Sequence, residues 1–203
     1  MYKYLVFGRG DLAIFVLEYL KSKNVLMGFV PDLPEPEWQE SVVEFCRNNS
    51  IEMFEYENLE EIIGTNIIGV SIYFRKIFRL GLINKFSYFV NLHNGPLPKY
   101  RGVNPINWAL KNNELEHGVT LHHIDEGVDT GDIIDQEKFY INNNLEVIDV
   151  YNLCIDAGKK IILRSILKVH LLPRISQDDK LSTYYSTKDF ENLGERKYFR
   201  RPI

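Results

Sequence analysis

Short apolar runs alternate with stretches of helical spacing along most of this chain, and that alternation constrains the fold more than any other feature. Apolar runs fall at 3–7, 25–30, 67–73 and 88–92. Each is long enough for one buried strand and too short for a core helix. Between the first two, Leu12, Phe15, Val16 and Leu20 recur at helical spacing. A second helix is expected over 37–48, with Trp38, Val42, Phe45 and Cys46 inward. Strands separated by helices cannot be joined as hairpins, so the chain is expected to be α/β, with a mainly parallel twisted sheet flanked by helices.

The weaker signals complete the outline. A marginal strand is expected at 51–54, one or two helical turns at 59–63, and a short helix within 78–86. A helix over 104–110 would start on Pro105, whose missing N–H costs nothing at a first helical position. Strands at 118–124 and 133–140 flank an acidic turn. The longest helix is expected over 145–172, capped by Asn143 with Glu146 reaching back, and stopped by Pro173. This divides the chain into a body, 1–173, and an extension, 174–203. The extension carries Tyr184, Tyr185, Phe190, Tyr198 and Phe199, too many aromatics for a free tail. It could form a β-hairpin at a dimer interface, or stack on a nucleotide base. Arg196, Lys197, Arg200 and Arg201 could meet a diphosphate, or simply form a solvated basic end.

Bulk properties exclude several classes. The 203 residues are 45% hydrophobic, enough for a sizeable core. A formal net charge of −4 gives no basic surplus for a nucleic-acid partner. No window offers eighteen unbroken apolar residues, and the first apolar run is too short for a signal peptide. A cytoplasmic protein is expected. Cys46 and Cys154 lie in apolar-periodic segments and read as buried thiols in a reducing compartment.

Three stretches carry chemistry. Gly8-Arg9-Gly10-Asp11-Leu12-Ala13 follows a strand and opens a helix, and Asp32 ends the second strand. That pattern fits a dinucleotide fingerprint, hence a nicotinamide-dependent oxidoreductase, but a glycine turn at a helix start suits any phosphate. Second, Asn91 and His93 sit two apart on a strand and so share a face. They lead into a loop stiffened by Pro96 and Pro98. Third, Asp125, Glu126, Asp129 and Asp132 crowd into eight residues. They could form a solvated turn or a carboxylate aimed at a histidine, with like charges raising its pKa. The spacing is wrong for a calcium hand. His122 and His123 are adjacent on a strand, point to opposite faces and cannot share one metal; with His117 they read as structural or stacking residues.

The second and third stretches together resemble the folate-dependent formyltransferase family. The similarity lies in Asn91-Leu-His93-Asn-Gly-Pro-Leu-Pro98-Lys-Tyr-Arg-Gly102 and in Gly118-Val-Thr-Leu-His-His-Ile-Asp-Glu-Gly-Val-Asp129-Thr-Gly-Asp-Ile-Ile134, with His93 and Asp129 separated by 36 positions. The resemblance implies a Rossmann-like formyltransferase fold and 10-formyltetrahydrofolate as formyl donor, without a metal. It implies Asn91, His93 and Asp129 as the catalytic trio acting through a tetrahedral intermediate. Phe74, Arg75, Lys76 and Ile77 would grip the pterin, with Asp125, Glu126, Gly127 and Val128 as the opposite wall. Gly8, Arg9 and Gly10 would hold an acceptor phosphate, and Asn94, Gly95, Lys99 and Arg101 would also face the acceptor.

Within the family, the run from Lys99 to Trp108 and the Asp129 turn are most similar to sugar N-formyltransferases. These act on nucleotide-linked amino-deoxy sugars, including precursors of surface polysaccharides, and a homodimer is expected with them. The chain's length and acidity argue against a methionyl-tRNA enzyme. A glycinamide-ribotide-type or other small-amine formyltransferase, and a non-catalytic folate or sugar-nucleotide binding module, are the remaining alternatives.

Overall fold

The computed structural model describes residues 1–62, 64–142 and 144–194. Its internal contacts divide it into two compact units: Met1–Leu92 with His123–Glu126, and His93–His122 with Gly127–Ile203.

The first unit is built on four parallel strands: β1 (Lys3–Gly8), β2 (Leu26–Pro31), β3 (Ile67–Ile72) and β4 (Tyr88–His93), in the order β2-β1-β3-β4. β3 is buried at every position, the mark of a parallel strand covered on both faces. Helix α1 (Asp11–Ser22) buries Leu12, Ala13, Val16, Leu17 and Leu20, following the periodicity of its sequence. Phe7 sits at the centre of an aromatic cluster, with Phe74, Phe78, Phe86 and Phe89 at centroid distances of 5.2–5.9 Å.

Several boundaries differ from the sequence expectation. Helix α2 runs only over Val42–Asn48, because Ser41 caps it and Glu35 takes up the Ser41 hydroxyl and the Val42 amide. The segment at 51–54 forms no strand, only an isolated bridge between Met53 and Phe29. Helix α3 is Leu59–Ile62, preceded by a 3-10 turn, and α4 is a single turn, Leu80–Ile83.

The second unit contains α5 (Pro105–Lys111), an antiparallel pair β6 (Glu116–His123) and β7 (Ile133–Tyr140), and the long helix α6 (Val147–Ser165). Pro105 does open α5, from Asn104 in a left-handed conformation. Helix α6 is shorter than expected at both ends. Its cap is Glu146, with Asp149 returning the bond in a capping box, and a 3-10 turn at Ile166–Lys168 follows it. The expected cap Asn143 lies outside the described residues. α6 is tied to β7 by Arg164, which bonds Asp135 at 2.7 Å and Glu137 at 2.6 Å.

Among the described residues of the extension, β8 (Tyr184–Tyr185) pairs in parallel with β5 (Arg101–Gly102). Tyr185 stacks on Trp108 at 4.1 Å and 15°. Trp108 is 5% exposed and belongs to the core. A two-residue strand is stabilised here by its stacked aromatics more than by its ladder. Tyr198, Phe199 and the four basic residues from Arg196 to Arg201 lie outside the described residues.

Candidate active site

β4 carries the first two candidate side chains. Asn91 lies opposite Ser71 of β3. His93, two residues on, is buried at the strand's end. The loop that follows is fixed by Thr120 on β6. Its hydroxyl donates to the Gly95 carbonyl at 2.7 Å and accepts from the Leu97 amide at 3.1 Å and from Gln136 at 2.8 Å. His117 donates to the Asn94 carbonyl at 2.9 Å. Gly95 is required by packing, since a Cβ there would stand 2.7 Å from His93 Nε2.

The loop returns a carbonyl to the histidine: His93 Nε2–H donates to Tyr100 O at 2.8 Å. The other ring nitrogen, Nδ1, is 3.4 Å from Asp129 Oδ2. Asp129 itself has φ 56°, the left-handed region that Asp tolerates better than most residues. Its Oδ2 accepts the Gly102 amide at 2.8 Å, and its Oδ1 is 3.4 Å from His122 Nε2. One carboxylate is thereby shared by two histidines and a backbone N–H.

The electrostatics follow from this arrangement. Burial raises the Asp129 pKa, but His93, His122 and the Gly102 amide together outweigh it and hold the carboxyl well below the usual range. The crowd of acids therefore does not raise it, contrary to the sequence expectation, because Asp125 and Glu126 turn outward to solvent. Burial also dominates at His93 and lowers its pKa, with His122 adding to the effect; Asp129 and the Tyr100 carbonyl pull the other way. At neutral pH the pair is an uncharged imidazole beside a carboxylate. Both ring nitrogens face oxygen acceptors, so the neutral ring can satisfy only one of them with a proton. Gaining a second proton satisfies both, and the site is built to receive one.

The remaining sequence candidates fall as follows. Gly8 has φ 147°, and its Cα faces the Ile72 carbonyl so closely that no Cβ fits. Arg9 lies 3.7 Å from Asp32, and Arg75 grips the same carboxylate at 2.8 Å while also donating to Leu33 O. Asp32 is 2% exposed and its charge is matched, so it does not present a carboxylate to a ribose as a nicotinamide site needs. Arg75 is exposed along its side chain, but its guanidinium is engaged by Asp32. Lys76 and Ile77 are exposed, while Phe74 stacks on Phe78 at 5.2 Å and 14°. Ile124, adjoining Asp125 and Glu126, packs on the same apolar cluster as Phe74. Gly127 and Val128 are exposed. Lys99 reaches Glu114 at 4.0 Å. Arg101 is buried and committed to Gln177 and Asp179, so its guanidinium is not open to an acceptor.

Sequence reasoning missed His122, Tyr100 and Gln177. His122 was legible in part, since its parity on β6 differs from that of His123. Tyr100 acts through its carbonyl, which no side-chain motif announces.

Among the described residues no group of three or more His, Cys, Asp or Glu could hold a metal ion. No described helix is long and apolar enough to cross a membrane.

Comparison with known proteins bears on the same stretch. A methionyl-tRNA formyltransferase of Orientia tsutsugamushi (strain Boryong) is 34% identical over 136 residues, 67% of this chain and 44% of that protein. One from Syntrophus aciditrophicus (strain SB) is 40% identical over 97 residues, 47% of this chain and 31% of that protein. The match thus spans less than half the length of these curated relatives. Among solved structures, WlaRD, a sugar 3N-formyl transferase studied with dTDP and 5-N-formyl-THF, superposes with a TM-score of 0.83 at 32% identity. It covers 93% of this chain and 71% of its own. An N-formyltransferase from Helicobacter canadensis, in complex with folinic acid and dTDP-3-aminofucose, gives the same TM-score and identity, covering 93% and 72%. The formyl transferase family model matches residues 38–166, a stretch that takes in β4, β6 and the Asp129 turn. Since that stretch is well over half of the residues, the chain belongs to the formyl transferase family.

Proposed function

We propose that this chain transfers a formyl group from 10-formyltetrahydrofolate to the primary amine of a nucleotide-linked amino-deoxy sugar. The reaction class rests on one observation above the others: a strand-borne Asn-x-His pair whose histidine stands 3.4 Å from a largely enclosed carboxylate 36 positions downstream. The acceptor class is supported by the likeness to the two sugar N-formyltransferase structures, which extends over 93% of the chain.

The donor, when bound, supplies an activated formyl carbon. A flat pterin suits the segment Phe74–Ile77, which leaves β3 with an aromatic ring stacked beneath it and its last two side chains exposed. Asp125 to Val128 serve as the other recognition segment. Gly8 to Gly10, Asn94, Gly95 and Lys99 are assigned to the acceptor. Asn91 donates its side-chain N–H to the formyl oxygen as negative charge develops there. His93, neutral at rest, takes the proton that the attacking amine must lose, and Asp129 stabilises the imidazolium so formed. The C–N bond to the folate nitrogen then breaks, and the proton held by His93 is returned to that nitrogen, directly or through water.

The curated relatives favour a second reading, with methionyl-tRNA as acceptor. One screen separates the two. The protein is incubated with 10-formyltetrahydrofolate and, separately, a panel of nucleotide-linked amino sugars, glycinamide ribotide and initiator methionyl-tRNA, with formamide detected by mass spectrometry. Formylation of a sugar amine supports the proposal. Formylation of the tRNA alone replaces its acceptor. No formamide with any amine counts against the reaction itself.

A further inference from the structure

Gln177 stands in a segment that is otherwise turned to solvent. From 173 to 180, among the described residues, every side chain but this one is exposed. Its amide nitrogen donates to the Asp129 carbonyl at 2.9 Å and to the Gly131 carbonyl at 2.7 Å. Its amide oxygen accepts from Arg101 Nε at 3.1 Å and Nη2 at 2.9 Å. Arg101 is braced in turn by Asp179 at 2.8 Å. The next residue, Gly102, donates its amide to the Asp129 carboxylate. The bonds close a ring: Asp129 carboxylate, Gly102, Arg101, Gln177, Asp129 carbonyl.

The ring has a purpose that packing alone does not explain. Asp129 holds a left-handed backbone conformation, which an L residue keeps only if its surroundings impose it. Gln177 binds the carbonyls on either side of Thr130, so it fixes the turn that carries the carboxylate. Ser176 bonds Asp132 and Ile175 bridges Ile133, so the segment is already aligned with the turn.

We propose that Gln177, held by Arg101, is a positioning residue that sets the Asp129 carboxylate against His93. The proposal rests on the formyl-transfer reading for its effect on rate, and not for its effect on His93. Gln177 touches no reacting atom. It acts by keeping Asp129 in place, and a displacement of about 1 Å at such a group costs on the order of a hundredfold in rate.

The test compares wild type with Gln177→Met, which keeps length and packing but removes both sets of bonds. Lys180→Ala, an exposed residue of the same segment, serves as the control. Two readouts are taken: kcat and KM with the acceptor identified by the screen, and titration of the His93 Cε1–H signal by NMR, assigned with His93→Gln. The groups acting on His93 are Asp129, which raises its proton affinity, and His122, which lowers it; the buried His117 is also coupled to it. With Gln177→Met, Asp129 drifts away, the His93 midpoint moves to lower pH, and kcat falls roughly ten- to hundredfold with KM little changed. Lys180→Ala alters neither. If Gln177→Met does not fold, Arg101→Lys, which removes the two-pronged grip on Gln177, shifts both readouts in the same direction. A variant that only loses thermal stability, with kcat and the His93 midpoint unmoved, overturns the proposal. Absence of turnover in wild type would strike the reaction, and the NMR titration would still decide the positioning role.

Discussion

At the scale of the residue, His93 and Asp129 act as a matched pair because each is wrong for water and right for the other. An imidazole between a carbonyl and a carboxylate can donate to only one of them until it is protonated. Replacing His93 with Gln keeps one hydrogen bond and removes the proton-accepting function; kcat should drop about 10²–10⁴-fold, which is the usual contribution of general acid–base catalysis. Retention of more than a tenth of wild-type kcat would show that His93 is not the base. Asn91→Ala should cost about 10²–10³-fold in kcat if its amide meets the developing oxyanion, with a smaller change in KM. A change confined to KM would instead mark Asn91 as a ground-state binder.

At the scale of the element, the pairing of β5 with β8 decides whether Gly102 can present its amide to Asp129. Gly102 has φ 90°, and a Cβ there would run into the Tyr185 carbonyl. Gly102→Ala should therefore destabilise the fold by about 1–3 kcal/mol and lower activity as well. Urea unfolding together with turnover would check this, and an unaltered midpoint would mean that the β5–β8 pairing contributes little. The elements also show what the sequence could and could not tell. The parallel strands were legible because burial on both faces leaves continuous apolar runs. Asn91 and His93 were legible because a strand's two-residue period places them together. The end of α6 was not, since apolar residues continue past Ser165 while the backbone tightens into a 3-10 turn. The pairing of β8 with β5 was not legible for a related reason: aromatic content shows that a segment packs, but not what it pairs with. Gln177 had no signal at all, because its role depends on two backbone carbonyls and a distant arginine.

At the scale of the whole molecule, two buried histidines and the carboxylate beside one of them give stability the same dependence on pH. Burial pushes the His117 pKa down to about 4, against the pull of its bond to Asn94. His93 is lowered by burial as well, and Asp129 is lowered despite it. For each, the unfolded chain binds protons that the folded state refuses. Stability is therefore complete above about pH 6.5 and is lost as pH falls from there toward about 4, with the carboxylate adding its share below that. His117 alone should contribute on the order of 3 kcal/mol across that window. Thermal unfolding from pH 7.5 to 4 should show a steep decline in Tm, and His117→Asn should flatten it. A Tm independent of pH between 6.5 and 4.5 would contradict the buried-neutral assignment.

The ring through Gln177 also bears on when the molecule becomes competent. Chains emerge from the ribosome N-terminus first, and segments fold as they become available. Every residue of the Asn91–His93–Asp129 set is synthesised well before Gln177. A nascent chain could thus complete β1 to β4 while the Asp129 turn, already synthesised, still samples several conformations. Catalytic order would arrive as a separate and later event, when the segment from Ile175 to Tyr185 docks and the aspartate loses its freedom.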